Sequence, residues 1–213
     1  MIDFGLVANG VAIGLAVAAP IGPVNLIVIR RTLRYGQLNG FLSGAGAATG
    51  DAIFAAIAAF GLTAAIEIVV RFETALQIVG GLFLVALGTR TWIAQPHFDE
   101  ATEENLSGAI AAVFVTTFFL TITNPATMLG FLAIFGGVAG LADAGEDYEH
   151  AATVVLAVLC GSALWWAGLS SFVSLFRQKM NDRLLAIVNR VSGCLIVIFG
   201  VIVLARVAIS FLF

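Results

Sequence analysis

Long hydrophobic runs alternate with short polar stretches along the whole chain. Six runs can be distinguished, at about residues 4–29, 37–62, 74–93, 107–138, 151–176 and 184–212. Each run is long enough to cross a bilayer as a helix, which takes about 20 apolar residues. The strict alternation of apolar and polar positions that marks the strands of a membrane barrel is absent. The pattern therefore predicts an all-α membrane protein with six transmembrane helices.

Prolines and glycines interrupt two of these runs. The first run contains the sequence Pro20-Ile21-Gly22-Pro23-Val24-Asn25, and the fourth contains Thr123-Asn124-Pro125. Proline lacks an N–H group and clashes with the preceding turn, so we expect a broken helix at both places. In a membrane, the backbone groups freed by a break must be buried in protein or line a polar cavity. Paired breaks in two halves of a chain indicate the binding site of a transporter.

Both interruptions also have the composition of a helix start. Gly22-Pro23 and Thr123-Asn124-Pro125 each place a small or polar cap before a proline at the first helical position. A helix that starts inside the membrane presents unpaired N–H groups and a partial positive charge there, which suits a carboxylate. We predict that Asn25 and Asn124 help to bind that carboxylate. The alternative is a pair of proline kinks whose carbonyl groups are satisfied by neighbouring Ser and Thr.

The two halves of the chain share a spacing pattern. The positions that correspond are Arg71, Gly81 and Gly88 in the first half and Arg183, Gly193 and Gly200 in the second. Gly50-Asp51 likewise corresponds to Gly161-Ser162. The pattern divides the chain into residues 1–94, a cytoplasmic connector at 95–106 and residues 107–213. Each half has an odd number of spans, so we predict two inverted three-helix repeats, as in many secondary transporters. Chance similarity between glycine-rich helices is the alternative.

Composition and charge agree with a chain that is almost entirely embedded in the membrane. Of 213 residues, 61% are hydrophobic and only 11% are charged, against about 25% charged in soluble domains. Basic residues follow the first and fifth runs: Arg30, Arg31, Arg34, Arg177, Lys179 and Arg183. Short loops rich in Lys and Arg face the cytoplasm. We therefore predict that the N-terminus and the C-terminus both lie outside.

Asp51 is the most informative single residue, because it lies in the middle of the second run. A carboxylate at such a depth costs several kcal/mol and usually faces a cavity or pathway. Asp51 could pair with a substrate ammonium or carry a proton; the alternative is a protonated Asp that bonds a neighbouring helix. Of the pair Trp165-Trp166 in the fifth run, Trp165 is the candidate to line the cavity; the alternative is a place in the interfacial belt of the membrane. We predict no cofactor and no metal site, because the His and Cys residues lack ligand spacing.

These motifs together resemble the LysE/RhtB family of amino-acid exporters. The similar sequences are Pro20 to Asn25, Arg30-Arg31, Gly50-Asp51, Asn124-Pro125 and Gly161-Ser162-x-x-Trp165-Trp166. The resemblance implies six helices in a bacterial inner membrane and export of amino acids driven by the proton gradient. Family members specialised for lysine or arginine carry an acidic residue shortly after the Asn-Pro. Residues 126–130 of this chain carry no charge, so a neutral substrate is expected.

The sequence thus predicts a proton-coupled exporter of small amino acids or related metabolites. Its partners would be the amino acid, protons and the bilayer, with no nucleic acid. The stripe Gly36, Gly40 and Gly44 could pack helices within one subunit or between two subunits of a homo-oligomer. The predicted substrate-binding residues are Gly22, Pro23, Asn25, Asp51, Thr123, Asn124, Pro125 and Trp165. A heavy-metal exporter of related fold is one alternative. A thiol-redox protein would need Cys160 and Cys194 to be repeat-related, which they are not. An intramembrane aspartyl protease would need a second deep carboxylate.

Overall fold

A computed structural model describes most of the chain. It covers residues 4–20, 22–60, 71–94, 103–124, 127–128, 130–131, 134, 148–179 and 181–210, with the backbone alone at 103–110. Within these ranges the chain is helical apart from short turns, and no strand occurs there. The predicted all-α class is confirmed.

Seven α-helices account for nearly all of the described residues. They are α1 (Phe4–Ala18), α2 (Pro23–Tyr35), α3 (Gln37–Ala59), α4 (Glu73–Ile93), α5 (Glu103–Ile122), α6 (Tyr148–Ser174) and α7 (Asp182–Ser210), with a 3₁₀ turn at Arg177–Lys179 after α6.

The helices define a multi-pass membrane protein. Four of them, α3, α4, α6 and α7, are long and apolar enough to cross a bilayer, and the bent pair α1–α2 provides a fifth span if it is counted as one. The run that contains the second break continues from α5 into residues 125–147, most of which lie outside the described ranges. The count of six spans therefore stays a prediction.

The first predicted break is present in the structure. Helix α1 ends at Ala18 and α2 begins at Pro23, and the two helices are bent by 84°. Gly22 caps α2 in an extended conformation, with Pro23 at the start of the helix. The far end of α2 is closed by Gly36, whose φ of +95° favours glycine. Helix α3 can therefore begin at the next residue.

Glycines bring several helix backbones into direct contact. Helix α6 packs against α1 and α3, and α3 also packs against α5. A Cβ atom added at Gly14 of α1 would overlap the carbonyl oxygen of Val158, and one added at Gly161 of α6 would overlap that of Val11. Small residues allow this close approach. In a membrane the hydrophobic effect does not hold helices together, so van der Waals packing between their backbones takes its place. Helix α6 is thereby fixed beside both α1 and α3.

Glycines also bring α4 and α7 together, and here each glycine approaches the carbonyl oxygen of a glycine on the other helix. A Cβ atom added at Gly88 would lie 2.8 Å from the carbonyl oxygen of Gly193, and one added at Gly193 would lie 2.7 Å from that of Gly88. Gly81 and Gly200 face each other in the same way, since a Cβ atom at Gly200 would lie 2.8 Å from the oxygen of Gly81. The glycines that correspond in the sequence pattern thus meet crosswise in one interface.

Candidate functional site

Asp51 lies inside the bundle, where α3 is flanked by α5 and α6. Its side chain is only 4% exposed, and the preceding Gly50 packs against Thr121 of α5. The carboxylate oxygen Oδ2 accepts a hydrogen bond of 2.7 Å from Ser162 Oγ of α6. Among the described residues, the partner of this buried carboxylate is therefore a hydroxyl group and not a cation.

Trp166 also bonds Ser162 and leaves its hydroxyl hydrogen available for Asp51. Its indole Nε1 donates to Ser162 Oγ at 3.2 Å, and an indole N–H can only donate. The hydroxyl of Ser162 accepts this bond with one lone pair and gives its single hydrogen to the Asp51 carboxylate. Both Ser162 and Trp166 are buried, at 0% and 2% exposure. The two side chains together hold the Asp51 carboxylate in one orientation.

Asn25 forms a hydrogen bond with a backbone group that the first break leaves without its helical partner. In a continuous helix the Pro20 carbonyl would accept from the N–H of residue 24, and the break removes that partner. Asn25 Nδ2 donates to Pro20 O at 2.9 Å instead, while Asn25 Oδ1 accepts from Trp165 Nε1 at 3.3 Å. One of the two Nδ2 hydrogens is used in this way, which leaves the second for another acceptor.

Two adjacent tryptophans of α6 connect the broken helix to the buried carboxylate. Trp165 bonds Asn25 in the first turn of α2, and Trp166 bonds Ser162, which bonds Asp51. The structure therefore brings together Asp51, Asn25 and Trp165 with the Gly22-Pro23 start of α2. The sequence analysis missed Ser162 and Trp166 as partners of Asp51. The signal was present in the spacing pattern, in which Gly161-Ser162 corresponds to Gly50-Asp51.

The second break is described only in part. Thr123 is buried, packs against Gly80 of α4, and donates its hydroxyl hydrogen back to Phe119 O within α5 at 2.7 Å. Asn124 is exposed, and its carbonyl oxygen accepts from Thr127 N at 3.1 Å. Pro125 lies outside the described residues. The role predicted for this second break therefore stays a prediction.

Metal-ligating and thiol groups do not cluster in the part of the chain that the structure describes. No group of three or more His, Cys, Asp or Glu side chains there could hold a metal ion. Cys160 is exposed and Cys194 is partly buried, and both are free thiols.

Replacing Ser162 with alanine is expected to destabilise the fold by about 1–3 kcal/mol, because Asp51 and the Trp166 N–H would both lose a buried partner. The matched control is Ser170→Ala on the same helix. Ser170 is fully buried too, and its Oγ has no hydrogen-bond partner among the described residues. Thermal unfolding of the two purified variants measures the difference. An equal loss of thermal stability in both variants would contradict the hydrogen bonds from Trp166 to Ser162 and from Ser162 to Asp51.

A bundle of apolar helices that buries a carboxylate and an amide beside a broken helix defines a membrane transport protein. Comparison with known proteins agrees with this class. The chain belongs to the LysE type translocator family, whose model matches residues 15–206.

Curated relatives are similar along most of their length. One is the Bacillus subtilis (strain 168) protein named "Putative amino acid efflux protein YcgF", which is 24% identical over 192 residues, covering 89% of this chain and 90% of that protein. The uncharacterized membrane protein YrhP of the same organism is 24% identical over 189 residues, covering 84% and 89%. The uncharacterized membrane protein YahN of Escherichia coli (strain K12) is 28% identical over 180 residues, covering 82% and 78%. No solved structure matches the chain at a significant level.

Proposed function

We propose that this protein is a secondary transporter that exports small neutral amino acids across the bacterial inner membrane in exchange for protons. The observation that carries the proposal is the buried Asp51 carboxylate, held by Ser162 and connected through α6 to the broken helix. Membership in the LysE type translocator family and the name of the relative YcgF support the same activity.

The carboxylate of the solute would bind at the start of α2. Pro23 has no N–H, and Leu26 N already donates to Gly22 O. The N–H groups of Val24 and Asn25 remain, and no side chain caps this end of the helix. Their partial positive charge, together with the second Nδ2 hydrogen of Asn25, suits an anionic group.

The ammonium group of the solute would bind Asp51. A carboxylate can hold an ammonium ion only while it is deprotonated, so a proton that enters from outside competes directly with the solute. Protonation of Asp51 would release the amino acid, and loss of the proton to the cytoplasm would reset the site. Asp51 alone would then couple the export of the amino acid to the entry of the proton, without a separate proton pathway.

A single buried carboxylate also favours a neutral solute. Asp51 is the one acidic side chain that is buried among the described residues, and residues 126–130 carry no charge. A lysine or arginine side chain would need a second carboxylate inside the membrane. The zwitterion of a neutral amino acid needs only one.

We further propose that the two halves form an inverted repeat with the second break, Thr123 to Pro125, opposite the first. The crosswise contacts of Gly81 with Gly200 and of Gly88 with Gly193 support this, because a two-fold relation between the halves maps each contact onto the other. We propose that the basic ends of α2 and α6 face the cytoplasm. The N-terminus and C-terminus then face outside.

Efflux from intact cells tests the proposal. Cells that express the protein are loaded by feeding dipeptides, and the release of each amino acid is compared with that from cells carrying an empty vector. We expect faster release of one or more small neutral amino acids, and we expect a protonophore to abolish the difference. Release equal to that of the empty vector for every amino acid would overturn the proposed function.

A further inference from the structure

Three arginines lie on the face of α2 that is turned toward the other half of the protein. Ile27 of this face is buried in a cluster with Leu84 of α4, Leu120 of α5 and Ile196 of α7. Arg30 and Arg31 follow three and four residues later and Arg34 seven residues later, so all three lie on the same face of the helix. The opposite face, with Val28 and Thr32, packs on α3 and α6.

Arg30 is held in a defined orientation on this face. Its Nε donates to Asn189 Oδ1 of α7 at 2.6 Å, and Asn189 Nδ2 donates to the carbonyl oxygen of Ala94 at the end of α4. Asn189 is 1% exposed. Because Nε is used, the guanidinium plane is fixed and the Nη1 and Nη2 groups remain as a fork. That fork has the geometry that binds a carboxylate through two parallel hydrogen bonds.

The charges of Arg30 and Arg31 are not balanced by a carboxylate among the described side chains. Arg31 and Arg34 both stack on the ring of Tyr35, at 5.2 and 4.9 Å from its centroid. All three arginines are half-buried, and no carboxylate among the described side chains pairs with Arg30 or Arg31. Like charges within two helical turns repel one another, and partial burial strengthens that repulsion. An anion bound at Arg30 would relieve it.

We propose that Arg30, supported by Arg31, forms an entry site for the carboxylate of the exported amino acid. This inference rests on the proposed function and adds a second, shallower site to it. Arg30 lies five residues after Asn25, or about 7.5 Å farther along α2 at 1.5 Å per residue. Five residues turn by about 140° around a helix, so Arg30 points to a different side of α2 from Asn25. A solute captured at Arg30 is therefore held at the end of α2 that we propose to face the cytoplasm, before it reaches the uncapped start of that helix. The same three positive charges repel a second ammonium group, which disfavours lysine and arginine as cargo.

Transport kinetics in inside-out vesicles test this site, with ¹⁴C-labelled L-alanine, L-threonine and L-leucine as separate probes. For Arg30→Gln we expect KM to rise at least about tenfold with the maximal rate little changed, because a charge-assisted hydrogen bond to the solute is lost. Arg30→Lys should lie in between. The matched control is Arg190→Gln, next to Asn189 but exposed, which should behave like the wild-type protein. A lower maximal rate with unchanged KM in Arg30→Gln would overturn the proposal.

Two further variants of the experiment exclude other ligands of Arg30. In liposomes of phosphatidylcholine alone, the rise in KM should persist; its disappearance would assign the arginine to the phosphate of an anionic lipid. Helix α5 runs parallel to α3 and begins at this end of the bundle with Glu103 and Glu104. If Glu103→Gln with Glu104→Gln reproduces the effect of Arg30→Gln, an internal ion pair replaces the proposed site.

A binding measurement separates failure of the entry site from failure of the proposed function. Phenylglyoxal modifies accessible guanidinium groups, and mass spectrometry of the purified protein measures modification at Arg30. We expect acetate and L-alanine to protect Arg30, and alaninamide, which lacks the carboxylate, to give no protection. Equal modification with and without acetate would overturn the entry site even if efflux is observed. Protection without efflux of any amino acid would retain a carboxylate site at Arg30 and overturn the proposed function.

Discussion

Asp51→Asn is expected to abolish proton-driven efflux while leaving the fold intact. Asparagine has the shape of aspartate and keeps an oxygen that accepts the hydrogen bond from Ser162. It cannot take up a proton or form a charged pair with an ammonium group. A hydrogen bond to a charged group is worth about 1.5–3 kcal/mol, so we expect at least a tenfold to hundredfold loss of transport. Efflux measured with and without a proton gradient gives the result.

The stability of Asp51→Asn should equal or exceed that of the wild-type protein, because burying a carboxylate in the membrane is unfavourable. Thermal unfolding of the purified variant is therefore the control. A variant that retains gradient-driven efflux would show that Asp51 does not carry the coupling. A variant that unfolds at a lower temperature would show that the carboxylate has a structural role instead.

Gly161→Ala should destabilise the protein by about 3 kcal/mol or more, the upper part of the range for overpacked cores. The added methyl group would overlap the carbonyl oxygen of Val11. A backbone atom cannot turn aside as a side chain can, so α1 and α6 would have to separate. Since α6 also carries Ser162 and both tryptophans, we expect efflux to fall as well.

The matched control is Gly168→Ala, two turns later on the same helix. A Cβ atom at Gly168 meets nothing within 4 Å. Alanine is the better helix former by about 1 kcal/mol, so this variant should be as stable as the wild-type protein or slightly more stable. Thermal unfolding in detergent compares the two variants. A small effect at Gly161, similar to that at Gly168, would contradict the close contact between α1 and α6.

Much of the helical framework could be predicted from the sequence. The length of an apolar run and the position of a proline are local properties of the chain, and they decide where a helix lies and where it breaks. The third run was predicted over 74–93, and α4 spans Glu73–Ile93. The break before Pro23 was predicted from the chemistry of proline alone. The 84° bend at that break and the pairing of α1 with α6 were not predictable. They depend on contacts between residues such as Gly14 and Val158, which are far apart in the chain.

The candidate site was predictable in part for a similar reason. Asp51 and Asn25 stand out because a polar group in an apolar run is costly unless it has a partner or a function. Ser162 and Trp166 do not stand out, since serine and tryptophan are common in membrane helices. Their role becomes visible only when α6 is placed against α3. The contact between Arg30 and Asn189 likewise joins residues 159 positions apart.

The two indole groups of α6 also give the protein an internal optical reporter. The chain has three tryptophans. Trp165 donates its N–H group to Asn25 at the broken helix, and Trp166 donates to Ser162, which bonds Asp51. Trp92 is exposed on α4, so its replacement with phenylalanine would confine the indole emission to the site. Ultraviolet fluorescence of that variant would then test the proposed binding of solute and proton at Asp51 without any attached dye.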